Sequence, residues 1–250
     1  MGSIRIAASF LVGLLLLVGL FAVVQHYAVQ LSGVVFDPED GFAAQFAKYK
    51  QHSSMEFLHL APAFIFFSII PLQFVGRIRA NHPLVHRVLG RTCVVVGVTS
   101  GMLGLIIAVV MPFGGFLETV VVLPFGIFFL FALTQGYLNA RARRIVQHRA
   151  WMIRALAVAL AISLQRVYLG LLMINAPMSE MPQMFNVALA LGFCTTIGLA
   201  ELYVRYVPLR RPNTASPELK TIAGSKTQKL VLEPINRAKN NATQMGSLSK

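Results

Sequence analysis

The chain reads as an all-α membrane bundle of six transmembrane helices, and three observations carry that reading. Hydrophobic residues make up 56% of the sequence and charged residues 12%, about half the roughly 25% charge of an ordinary soluble domain. The apolar residues are gathered into six runs, each close to the about 20 residues needed to cross a hydrocarbon core of about 30 Å. Lys and Arg fall almost entirely in alternate connections between those runs.

The first run, 6–25, follows Arg5. It is too long for a signal-peptide core and has no small-residue cleavage site after it, so it is read as a retained helix. The others are 55–75, 92–113, 116–138, 151–174 and 184–206. Pro62, Pro112 and Pro124 are expected to kink their helices by removing backbone hydrogen bonds. Gly97, Gly101 and Gly104 keep one side of the third run small, the spacing that lets membrane helices approach closely.

Cationic loops resist translocation, so orientation follows from Lys and Arg. Placing both termini and the second and fourth loops in the cytoplasm puts 19 of the 22 Lys and Arg residues inside. Lys48 and Lys50 remain outside, and Arg166 lies within a span. The expected location is an inner, cytoplasmic membrane. The opposite loop, 30–51, carries Asp37, Glu39 and Asp40, then an amphipathic stretch, 42–49, suited to the membrane interface. Beyond residue 208 the chain turns polar and proline-rich. Residues 1–208 are thus expected to form the membrane domain and 209–250 a mobile basic cytoplasmic tail.

The formal net charge of +13 would suggest nucleic acid in a soluble protein. Here the cations sit beside apolar spans, so the expected partners are the bilayer and anionic lipid on the cytoplasmic face, through Arg87, Arg91, Arg149 and Arg154. No nucleic acid is expected, and a protein partner is left open. Cys93 and Cys194 lie in apolar runs and offer neither a disulfide framework nor a metal site. There is no phosphate-binding glycine loop, HExxH zinc motif or serine in a catalytic setting, which argues against soluble-type nucleotide or hydrolase chemistry.

Two basic loops look alike. One holds Arg77, Arg79, His86, Arg87 and Arg91, the other Arg141, Arg143, His148, Arg149 and Arg154. Each joins a helical hairpin, a pattern that fits a parallel repeat of two hairpins, although two basic loops obeying the same charge rule would also look alike. At these loops the sequence resembles a mostly bacterial family of membrane proteins catalogued as the domain of unknown function numbered 2306. The residues that carry the resemblance are His59, Pro71-Leu72-Gln73-Phe74, His86-Arg87-x-x-Gly90-Arg91, His148-Arg149-x-Trp151-Met152-x-Arg154 and Arg166. This chain has Ala155-Leu156 where that family often has Ser-Tyr, so no tyrosine role carries over. The resemblance implies a multi-pass membrane fold and no particular activity.

Chemistry is therefore sought in the polar residues inside the spans. His52, Glu56, His59 and Gln73 share one helical stripe, and Arg166 lies at a depth matching His59. An arginine facing lipid is costly, so Arg166 is expected to face the bundle within hydrogen-bonding reach of Glu56, the first candidate, or of His59. That buried polar cluster serves either as a helix-to-helix tie or as a ligand, quinone or proton site. His86 and His148, at equal depth, are the histidines suited to the axial positions of a haem b, with His26 and His59 a poorer pair and no other metal expected. Glu201 is expected to pair with Arg205 one turn away, the alternative being a bridge to a loop arginine that closes the bundle. Two readings remain open: a non-catalytic protein for small-solute transport or complex assembly, and a haem- or quinone-binding redox protein resembling a cytochrome b.

Overall fold

The structure is a computed structural model in which residues 2–32 and 53–207 are described. Within them the chain is all helical, with seven α-helices and no strand. They are α1 (Gly2–Ser32), α2 (Ser53–Phe74), the short α3 (Gly76–Asn81), α4 (Pro83–Val110), α5 (Phe116–Arg141), α6 (Ile145–Leu172) and α7 (Met181–Tyr206). A 3-10 turn, Met178–Glu180, leads into α7. Six of the helices, all but α3, are long and apolar enough to cross a membrane.

The surface confirms the solvent for which these helices are built. Ile6, Phe10, Leu17 and Phe21 on α1, Val95 on α4, Phe116 and Ile127 on α5 and Leu171 on α6 are all exposed. Apolar surface so widely spread is stable against lipid, not water. The protein is an integral multi-pass membrane protein.

α6 is the centre of the bundle, packed against α1, α5 and α7. Half of its apolar window is buried, against 17–33% for the other spans. Its inward residues are small where helices meet: Ala155, Ala157 and Ala161 are buried, and a Cβ on Gly192 of α7 would stand 2.6 Å from the Ala161 carbonyl oxygen. That close approach is how membrane helices gain packing energy without a hydrophobic driving force between them. α2 pairs with α4, α4 with α5, and α1 rests on α2 and α6.

Several expectations change. The helices continue into the basic loops: α4 begins at Pro83, whose missing N–H suits a first turn, and α6 begins at Ile145. His86 and His148 thus stand on first helical turns. The two loops also differ, since the first contains α3 whereas the second is a tight turn with Arg143 at φ 58°. Pro112 does not kink a helix; α4 stops at Val110, because the residue before a proline avoids the helical region and Met111 sits at φ −142°. Pro62, Pro71 and Pro124 do lie inside helices. Glu201 pairs across to Arg154 on α6, since a neighbouring helix offers a fork that meets both carboxylate oxygens, the second at 3.0 Å. The stretch 42–49, His52, the outer-loop charges and residues 209–250 lie outside the described residues.

Candidate functional site

Between the helices lies a cavity of about 300 Å³, whose wall draws residues from α1, α2, α4, α5, α6 and α7. It occupies the half of the bundle away from the basic loops. Glycines on the inward face of α4 leave room for the side chains opposite: a Cβ on Gly97 would stand 3.1 Å from Phe66, one on Gly101 3.0 Å from Phe129, and one on Gly104 3.1 Å from the His59 ring. Phe66 and Phe129 meet edge to face at 6.1 Å. With Phe185, Leu189 and Phe193 from α7 they make the cavity predominantly apolar and aromatic.

Its polar groups are His26, Glu56, His59, Ser100, Glu118, Ser163 and Arg166. Glu56 is only 4% exposed and is paired with the His26 Nε2 of α1. Such pairing offsets the large cost of a carboxylate in an apolar interior. His59 Nδ1 stands 2.9 Å from the Ser100 carbonyl oxygen on α4. A carbonyl only accepts, so Nδ1 carries the hydrogen and, in the neutral ring, Nε2 holds the lone pair. Glu118 Oε2 accepts the Gly114 N–H at 2.7 Å, and Asn186 Nδ2 donates to the Gly114 carbonyl at 2.8 Å. This clasp ties the α4–α5 loop to α7 beside the cavity. Ser163 is 1% exposed and its Oγ has no hydrogen-bond partner.

Glu56, His59 and Arg166 thus line one cavity. The sequence pattern missed the His26–Glu56 pair, because it does not fix how α1 is rotated. It also missed Glu118, although a lone carboxylate opening an apolar run is itself a signal. Ser100 and Ser163 carry no sequence signal, since serine is common on apolar helices.

The second expected pair lies at the opposite end. His148 Nδ1 donates to the Gly136 carbonyl at 2.8 Å. His86 Nδ1 is buried without a hydrogen-bond partner, within electrostatic reach of both Arg79 and His148. Arg79 is also within reach of Arg149, so the two basic loops meet at one end of the bundle. Arg87 and Arg91 are exposed there. Arg154 is held by Glu201 and lies 4.8 Å from the centre of the Trp151 ring.

Six apolar helices around an intramembrane cavity with buried ionisable groups define a polytopic α-helical membrane protein. The chain belongs to the DUF2306 family of predicted membrane proteins, matched over residues 56–204. The match reaches well past Arg166, taking in nearly all of α7, and leaves α1 outside. No curated protein and no solved structure matches the chain.

Proposed function

We propose that this chain is a non-catalytic membrane protein that takes up a small amphipathic solute in the cavity between its helices, for transport or in assisting the assembly of a larger complex. The observation that carries this reading is the cavity itself. Apolar pockets with a few convergent polar groups are the usual form of small-molecule sites, and ionisable groups inside a membrane bundle mark solute or proton pathways. Glu56, His59 and Arg166 set the polar character of that cavity, joined by His26, and a ligand would lie among them. The cation distribution supports a setting in an inner membrane with both termini cytoplasmic, and Arg87, Arg91 and Arg149 meeting anionic lipid. In this reading residues 209–250 form a separate cytoplasmic tail. The experiment is native mass spectrometry of the purified protein beside Ala159→Phe, which fills the cavity. A small molecule carried by the first and lost from the second supports the proposal; an empty cavity that no apolar additive stabilises overturns it.

A redox reading is favoured by one observation, the His148 hydrogen bond to Gly136. A backbone partner on Nδ1 is how iron-ligating histidines are oriented, leaving Nε2 for the metal. His148 and His86 are the residues that would hold a haem, which would supply one-electron chemistry. The pair His26 and His59 does not fit, because Glu56 takes the His26 Nε2. A visible absorption band lost in His148→Ala supports this second reading, and a colourless folded protein from haem-supplemented cells removes it.

A further inference from the structure

We infer that the cavity accepts an uncharged ring compound bearing hydrogen-bonding oxygens, the chemistry of a membrane quinone or its quinol. This inference rests on the cavity being a ligand site, as proposed above, and names what it takes.

The argument turns on which polar groups still have hydrogen-bonding capacity. The two carboxylates of the wall are already engaged, Glu56 with His26 and Glu118 with the Gly114 N–H. A cationic ligand would have to displace one of these partners and leave it buried and uncompensated, and an anionic one would stand against the two carboxylates. Two neutral groups retain capacity. The hydrogen bond to Ser100 commits His59 Nδ1 and leaves Nε2 as an acceptor on the cavity wall. The Ser163 hydroxyl is buried and without a partner, able to donate or to accept. His59 stands near the Glu56 end. Ser163 lies deeper, where a Cβ on Gly19 would meet both its Oγ at 2.5 Å and the Phe67 ring at 2.8 Å.

A ligand matched to these groups carries no charge, has oxygens for an imidazole lone pair and a hydroxyl, and fits between Phe66, Phe129 and Phe193. Aromatic rings favour offset or edge contacts with a flat partner. A buried hydroxyl without a hydrogen bond is costly, so a ligand oxygen that reaches Ser163 Oγ recovers that cost. A quinone has a flat ring with oxygens at its edge, and it reaches such a site from the lipid phase.

The test is equilibrium binding of decylubiquinone to the full chain in nanodiscs, with decanoate and decyltrimethylammonium as charged competitors of equal chain length. Saturable binding of one decylubiquinone per chain is expected, with neither charged compound competing. Ser163→Ala and His59→Asn should each weaken it at least tenfold while the thermal midpoint is kept. The Asn amide can replace the donor to the Ser100 carbonyl but presents no Nε2. Should His59→Asn fail to fold, Ser163→Ala is read together with a photoreactive azidoquinone, whose crosslinks should fall on α2 and α6 beside the cavity. Preference for either charged compound, or quinone binding that Ser163→Ala leaves unchanged, overturns the inference. If decylubiquinone fails while another amphiphile binds and is lost in Ala159→Phe, only the ligand class falls; if nothing binds, the ligand-site reading falls with it.

Discussion

Glu201 on α7 grips Arg154 on α6 through both of its carboxylate oxygens, and the same guanidinium lies 4.8 Å from the centre of the Trp151 ring. The pair crosses between the two most closely packed helices of the bundle at the end where the basic loops lie.

A double-mutant cycle should therefore be strongly non-additive. Arg154→Ala and Glu201→Ala each leave the other charge without its partner, so the double variant should be less damaged than the sum of the two. A coupling of about 0.5–3 kcal/mol is expected for residues in one ion pair. Thermal unfolding in detergent measures it, and additive losses would remove the bridge from the account.

At the other end of the bundle, Gly104→Leu should drive His59 away from the Ser100 carbonyl, since even a Cβ there stands 3.1 Å from the ring. Overpacking of this kind costs about 1–3 kcal/mol. Gly170→Ala is the control, having nothing within 4 Å, and should leave the unfolding midpoint unchanged.

The Gly114 clasp predicts that Asn186→Ala loosens the α4–α5 loop. Protease nicking near Gly114 or faster hydrogen exchange in the loop reports this, together with a fall in midpoint worth about 1–3 kcal/mol for the carbonyl left unpaired. Gly115→Ala should also destabilise, because Gly115 sits at φ 71°, a conformation that costs a side chain about 1 kcal/mol or more. A loop unaffected by either change would show that the clasp does not hold it.

Orientation is open to a direct measurement. In a chain with Cys93→Ala and Cys194→Ala, Arg143→Cys should stay unlabelled by an impermeant maleimide added to intact cells and react once the membrane is opened. Labelling from outside would invert the assigned topology.

The six spans were legible because lipid demands long apolar helices whatever their neighbours, so length and composition alone reveal them. Helix ends were less so. Arg87, Arg91, Arg149 and Arg154 look like loop residues on hydropathy, yet their backbones continue the helical hydrogen-bond ladder while their side chains reach water or a partner. The convergence of Glu56, His59 and Arg166 on one cavity followed from stripe and depth, since an ionisable group inside a membrane has few places to go. Their partners did not follow. That Glu56 meets His26 on α1, and that Glu201 meets Arg154 on α6, depends on helix rotation and tilt, which are set by packing such as that of Ala161 against Gly192. Periodicity places a residue on a face; it does not say which helix that face meets.

The His26–Glu56 pair has a consequence for how the protein is built. α1 precedes α2 in the chain and carries His26. Glu56 arrives later, at the start of α2, and a lone carboxylate there is the costlier group to release into lipid. The earlier helix thus already carries the partner that Glu56 meets. The helix outside the family match supplies the polar partner for the residue at which that match begins.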